Sequence, residues 1–380
     1  MLKMEKYGRN SYHTGKKEME GQLSEQKALV DKLRKEQTLC DAELKQLLAV
    51  HEQPVLDYLY LNARQVQQLH YGNKVYVRGL IEFTNYCRNN CYYCGIRREN
   101  KNLQRYRLSD EQILSCAKEG YSLGFRTFVL QGGEDAAYTK EKLGNIIRQL
   151  KEQFPDCAVT LSFGEQDFET YQFWHDCGAD RYLLRHETAC QAHYRMLHPA
   201  EMSLSNRKNC LSQLKEIGYQ TGSGFMIGSP GQTLDNLIED LRYLKKLRPH
   251  MAGIGPFLPQ HDTPFAKEAA GTLEMTLKLL AVLRLLFPKI LLPATTALGS
   301  IHPKGREMGI LAGANVIMPN LSPADVREKY MLYDHKAVTG DESAQNIKKL
   351  AVHIQETGYE LCYERGDSLM TDTQSGDDNA

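Results

Sequence analysis

Apolar positions change period along this chain. In residues 23–50, Leu29, Leu33, Leu44 and Leu48 recur at helical spacing among charged residues, which predicts an amphipathic helix. A second helix is expected over about 53–69, stopped by Gly72 and Asn73. Residues 1–22, polar and rich in Lys, Glu and Gly, read as a disordered extension or the start of a helix. From residue 75 the pattern changes. Apolar, β-rich runs recur at VYVRGLIEFTN (75–85), FRTFVLQGGE (125–134), AVTLSFGE (158–165) and RYLLRHET (181–188). They continue at TGSGFMIGSP (221–230), MAGIGPFLPQ (251–260), ILLPATTAL (290–298) and ANVIMPN (314–320).

Helical patterns separate these runs, such as SDEQILSCAKEGYSLG, where Ser109 and Gln112 form a capping box. Strands alternating with helices imply parallel pairing and right-handed crossovers. Eight repeats predict an α/β fold, a complete (βα)8 TIM-type barrel with an N-terminal helical extension. A six-stranded partial barrel with an appended α/β end is the second choice. The expected division is an N-terminal extension with capping helices (1–74), the barrel (75–335), and a C-terminal helix with tail (336–380). Residues 341–360 read as a surface helix, and TDTQSGDDNA as a disordered acidic tail.

Composition narrows the function classes. Lys+Arg and Asp+Glu both number 47, so the basic excess of a nucleic-acid or membrane surface is missing. The apolar stretch LKLLAVLRLLF carries Arg284 and is too short to span a bilayer. MLKMEKYGRN lacks the apolar core of a signal peptide, so a cytoplasmic protein is expected. Seven cysteines are scattered singly and read as buried small hydrophobes.

The other three are clustered. FTNYCRNNCYYCG holds Cys87, Cys91 and Cys94 with no fourth ligand nearby. Thiolates suit zinc or an iron–sulfur cluster. Structural zinc prefers four protein ligands, so a zinc reading needs a remote one such as His186 or His261. A cubane held by three cysteines leaves one iron open to something the enzyme uses. The loop follows the first strand, on the rim where barrel enzymes place their chemistry. Gly132, Gly133, Glu134, Ser162, Glu165, Arg185, Glu187, Thr295, Thr296 and Asn320 collect at the ends of the other strands.

The C-x3-C-x2-C spacing, with Tyr93 before the last cysteine, is similar to the signature of the radical S-adenosylmethionine (SAM) superfamily. That resemblance implies one 4Fe–4S cluster on Cys87, Cys91 and Cys94. The amino and carboxylate groups of SAM would chelate the open iron, and one electron would cleave SAM to methionine and a 5′-deoxyadenosyl radical. Tyr93 and Met226 are then expected against adenine. Gln131, Gly132 and Gly133 would meet the methionyl end, with Glu134 keeping that loop in place.

A narrower resemblance rests on IEFTNYCRNNCYYCGIRRENKNLQRYR, VLQGGED, DRYLLRHETA, GSPGQT, GIGPFLPQHDTP, PATTALG and GANVIMPN. Over about 55–335 the chain resembles the HydE family of FeFe-hydrogenase maturases. The family implies a barrel around a large cavity and a role in assembling the diiron subcluster of the hydrogenase. The resemblance further implies that the radical acts on a sulfur-bearing, iron–carbonyl–cyanide precursor delivered by HydG, with the product passing to HydF. On this resemblance Glu187 and Arg207 contact SAM, while Thr160, Ser162, Arg185, Thr295 and Thr296 line the cavity. Some relatives carry a second cysteine trio near the C-terminus; here only Cys362 follows Cys210, so no auxiliary cluster is expected. A methylornithine-synthase-like mutase is the alternative function.

Overall fold

The computed structural model describes residues 8–336 and 343–370. The tail TDTQSGDDNA and the first seven residues lie outside the described residues. The single helix expected over 23–50 is instead two, α1 (Gly8–Glu36) and α2 (Asp41–Leu48), followed by α3 (Gln53–Tyr71). The break has a local cause. Gln37 takes a left-handed backbone (φ 54°), Leu39 turns into the core, and the Glu43 side chain accepts from the Cys40 N–H to start the next helix.

The β-rich runs form β1 (Lys74–Val77), β2 (Gly79–Thr84), β3 (Thr127–Gly132), β4 (Ala158–Ser162), β5 (Arg181–Leu183) and β6 (Gln220–Ser223). Shorter pieces are β7 (Met226–Ile227), β8 (Met251–Ala252), β9 (Gly255–Pro256), β10 (Val316–Ile317) and β11 (Glu360–Cys362). All of these pairings are parallel, in the series β2-β3-β4-β5-β6-β8, with β1 between β10 and β11 and β7 beside β9. Single parallel bridges join Met251 to Leu291, Pro293 to Val316 and Leu80 to Asn320. The result is an α/β fold on parallel sheet.

Several stretches differ from expectation: VYVRGLIEFTN, TGSGFMIGSP and MAGIGPFLPQ each divide into two strands, β1 and β2, β6 and β7, β8 and β9. ILLPATTAL makes only the two bridges, because Pro293 offers no N–H to a ladder and its end turns into the helix Thr296–Ile301. Of the helix expected over 341–360, residues 341–342 lie outside the described residues; the described α-helix is Ile347–Glu356, and the chain then returns as β11 to pair with β1.

Helices cover the strands in the expected way. Ser109 and Gln112 do form the capping box at the start of Asp110–Ser122. The helix Lys140–Gln153 buries Leu143, Ile146, Ile147 and Leu150, one face at spacing 3–4. LKLLAVLRLLF belongs to Leu273–Leu286, buried nearly all round because α1–α3 lie over it. Its two charges are satisfied by backbone: Lys278 donates to Leu48 and Val50 carbonyls, and Arg284 to those of Gly313, Pro288 and Ile290. Among the described residues no helix is long and apolar enough to cross a membrane.

Candidate active site

A cavity of about 380 Å³ opens at the C-terminal ends of the strands. Cys87, Tyr93 and Cys94 line it, with Cys91 of the same loop outside the lining. The loop is tied down by its neighbours. A Cβ on Gly133 would stand 2.3 Å from the Tyr86 carbonyl and 2.6 Å from Cys87 Cβ, and one on Gly132 would stand 2.8 Å from Thr84 Cγ2. The two glycines are thus required by the close approach of β3 to the start of the cysteine loop. Glu134 is the strut beside them. Its Oε2 accepts from Arg88 Nε on the loop (2.8 Å), and its Oε1 from the Glu165 N–H (2.9 Å).

All three thiols are free and half-buried. Burial pushes Cys87 and Cys91 up and Cys94 up to about 12, so the bare chain holds neutral thiols. Three soft donors on one short loop, two facing a cavity, fit a thiolate-held cluster with its open side toward that cavity. Among the described residues no three His, Cys, Asp or Glu gather around a single-ion position. Cubane thiolates each bind a different iron and stand further apart than ligands sharing one ion. The remote zinc ligands do not join them. His186 is fully buried against Ser223, Asp240 and Tyr243, outside the lining, and His261 is exposed beside Asp334 (2.7 Å).

Across the cavity, Arg185 and Glu187 follow β5. Glu187 is a non-glycine residue with φ 65°, and it is held there on both sides. Its N–H donates to the Gly224 carbonyl, and its own carbonyl accepts from the Met226 N–H (both 3.1 Å). This left-handed residue sits at the cavity wall, a conformation that persists only where the surroundings over-determine it. Arg185 Nη2 lies 2.9 Å from Glu187 Oε2, but without hydrogen-bond geometry; the buried Arg185 Nε and Nη2 have no acceptor.

Arg207, in the first turns of the helix Leu204–Ile217, reaches the same wall. Its Nε donates to Glu165 Oε1 and its Nη1 to the Arg185 carbonyl (2.6 Å). Burial alone would lower a guanidinium, but the Glu165 carboxylate outweighs it and keeps Arg207 charged. Glu165, read from sequence only as a rim residue, is therefore its anchor.

Met226 lines the cavity in an apolar cluster with Leu197, Phe257 and Tyr93, whose hydroxyl lies 3.2 Å from His198 Nε2. Gln131, Ser162, Thr295 and Thr296 line it as well, and the buried Thr295 Oγ1 has no partner. Thr160 departs from the expectation. It points to the same side as Ser162 but two residues deeper, into a small separate pocket with Arg78 and Arg181.

Sequence reading missed part of this cavity. Glu82 on β2 and Lys336 line it together, with Lys336 Nζ donating also to the Tyr330 carbonyl (2.9 Å) and Asn320 Nδ2 to Glu82 Oε2 (2.8 Å). Tyr330 and Tyr333 complete this side. The alternating pattern of EFTN carried a signal: a glutamate inside a β-rich run is expensive unless paired.

The radical SAM superfamily model matches residues 81–244. The chain is 47% identical over 293 residues to the [FeFe] hydrogenase maturase subunit HydE of Thermotoga maritima, covering 77% of this chain and 83% of that one. This chain belongs to the HydE family. It is therefore a radical SAM enzyme, and that membership implies a 4Fe–4S cluster and SAM. It is also 31% identical to the 3-methylornithine synthase of Methanosarcina acetivorans, over 85% of this chain and 90% of that one. The crystal structure of methylornithine synthase superposes with a TM-score of 0.79 at 29% identity, covering 88% of this chain and 97% of that one. Membership in the HydE family thus sits on a fold shared with methylornithine synthase.

Proposed function

We propose that this chain acts in the cytoplasm in assembling the diiron subcluster of an FeFe hydrogenase. The observation that carries the reading is convergence. Thiols, a braced guanidinium, a strained carboxylate and buried donors without acceptors all face one cavity.

Cys87, Cys91 and Cys94 hold one 4Fe–4S cluster through three thiolates, leaving one iron for SAM. Gln131, Gly132 and Gly133 receive the methionyl end, beside the Glu134 strut. Tyr93 and Met226 pack against adenine, Glu187 accepts from the ribose, and Arg207 donates to the SAM carboxylate. When bound, cluster and SAM supply the one-electron cleavage that yields methionine and a 5′-deoxyadenosyl radical. The chain's own part is to position the reacting carbon and exclude water.

Arg185, Ser162, Thr295 and Thr296 bind a small anionic, sulfur-bearing iron–carbonyl–cyanide complex, with Thr160 in the layer beneath. The acceptor-free Arg185 Nε and Thr295 Oγ1 support this, since buried donors without partners are costly until a ligand fills them. HydG is the expected supplier and HydF the recipient, with neither nucleic acid nor membrane involved. The bridges at Leu80, Met251 and Pro293 support a complete (βα)8 barrel over 75–335, with residues 1–74 as its helical extension. Pairing of β11 with β1 ties the segment from 336 on to that barrel.

The methylornithine-synthase-like alternative is favoured by the 31% relative and the 0.79 superposition. Against it, of the three carboxylates lining the cavity among the described residues, Glu82 is already bonded by Lys336 and Asn320 and Glu134 by Arg88 and the Glu165 N–H, which leaves Glu187 without a second carboxylate to form a pair for a diamine. One anaerobic assay separates the two. Reconstituted protein is combined with HydG, HydF and apo-hydrogenase, and hydrogenase activity is expected to depend on it and on SAM. Efficient turnover of lysine to methylornithine, without maturation, would overturn the reading.

A further inference from the structure

The turn that carries Arg185 and Glu187 is braced from outside the cavity by a carboxyl that does not line it. Asp240 lies on the helix Leu234–Leu247 and is fully buried. Its Oδ1 accepts from the Ala189 N–H and stands 3.3 Å from His186 Nε2; its Oδ2 has no partner. His186, also fully buried, places Nδ1 2.9 Å from Ser223 Oγ on β6. From the other side Lys208 Nζ donates to the Ala189 carbonyl (2.9 Å), and Arg207 Nη1 to that of Arg185. Residues 185–189 are thus gripped at both ends, with left-handed Glu187 between.

Burying a carboxyl with one oxygen unsatisfied is unfavourable, and so is a left-handed glutamate. The two costs meet in one turn. Asp240 hydrogen-bonds that turn through the Ala189 N–H, and its Oδ1 also stands against the His186 ring within the turn, a close contact without hydrogen-bond geometry.

We propose that Asp240 is a positioning residue for the SAM site: by holding the Ala189 N–H and packing against the His186 ring, it fixes the strained turn that aims Glu187 into the cavity. The inference rests on the reading above that Glu187 contacts SAM. Without the brace the turn relaxes toward ordinary backbone, and the carboxylate swings off its target.

The test uses the anaerobically reconstituted full-length enzyme and reads SAM affinity by equilibrium binding, melting temperature, and hydrogen exchange of residues 184–190. Asp240→Ala should raise the SAM Kd about tenfold, on the scale expected of a small misplacement of one contact, and speed exchange in that turn. Asp240→Asn keeps the acceptor and should restore affinity to within about twofold of the parent. In a Glu187→Ala background, Asp240→Ala should add less than about twofold, because no side chain remains to be aimed.

A purely structural brace would lower the melting temperature and leave SAM affinity alone. Folded Asp240→Ala protein with parental affinity therefore overturns the proposal, and so does an undiminished effect in the Glu187→Ala background. If Asp240→Ala does not fold, Ser223→Ala releases His186 from its other anchor and is read in the same way: weakened SAM binding supports the proposal and parental affinity overturns it. Glu187→Ala with unchanged SAM affinity would instead sink the assignment of Glu187 itself. A weakening by Asp240→Ala in that case would overturn the route through Glu187 too.

Discussion

Lys336 Nζ lies 2.5 Å from Glu82 Oε1 inside the cavity, a contact made across 254 residues of chain. Both side chains are nearly inaccessible, at 7% and 1%. A buried pair of this kind contributes little net stability against an apolar replacement, but breaking it strands a charge. It also anchors the segment after Tyr330 to the wall of β2.

Glu82→Gln should therefore destabilise the fold by about 3–5 kcal/mol, because it leaves Lys336 charged and unpaired. The double variant Glu82→Gln, Lys336→Met should recover most of that loss. Denaturant unfolding of both checks this; equal midpoints for the parent and Glu82→Gln would refute it.

Anaerobic reconstitution should load about four irons, and replacing Cys87, Cys91 and Cys94 together with Ala should remove them. Iron analysis with EPR of the reduced protein decides the point. Retention of the iron by the triple variant would move the cluster elsewhere, and a parent value near eight, from about two cubanes, would reveal an auxiliary cluster.

Arg207 uses Nε for Glu165 and Nη1 for the Arg185 carbonyl, which leaves Nη2 of the same planar fork for a carboxylate. Lysine cannot reproduce that geometry. Arg207→Lys should thus weaken SAM binding nearly as much as Arg207→Ala, by about 1.5–3 kcal/mol for a lost charge-assisted bond. Titration with SAM measures it, and full rescue by Lys would argue for a plain point charge.

Thr295 Oγ1 is buried without a partner, so Thr295→Val removes an unsatisfied group and keeps the shape. The melting temperature should stay level or rise, since such a group costs about 1–3 kcal/mol when left unpaired. Maturation with HydG and HydF should fall while SAM cleavage without substrate continues. Unchanged maturation would remove Thr295 from the substrate site.

Asp367 bonds Arg181 (2.6 Å) beneath the strands. Burial pushes its carboxyl up, but the Arg181 charge and their hydrogen bond outweigh this and hold it at about 2, against an ordinary 3.8. A depressed carboxyl stabilises the fold above its unfolded value and loses that contribution as pH falls through the folded one. Stability should drop between about pH 4 and pH 2, and Asp367→Asn should flatten that part of the curve. Urea midpoints at the two ends of the window measure the slope; identical slopes would show the pair to be inert.

By itself the sequence determined the local part of this protein. The short apolar, β-rich runs in 75–85 and 125–134, the helical spacing in 140–153 and the cap at Ser109 are written in neighbouring residues, so the alternation of strand and helix was legible. So was the thiol trio, because Cys87, Cys91 and Cys94 lie within eight residues of one another. The tertiary structure decided what depends on distant partners. The break at Gln37 and the bridge-only segment at Leu291–Pro293 follow from packing and a missing N–H, which override propensity. The pairing of β11 with β1 brings together segments almost 300 residues apart, for which no local pattern exists. The same holds in the cavity. Arg207 was visible as an arginine at a helix start, but its anchor Glu165 and the Glu82–Lys336 pair arise only when strand ends converge. Side-chain charge is encoded residue by residue, whereas the burial that makes a charge costly, and so functional or paired, is a property of the folded chain alone.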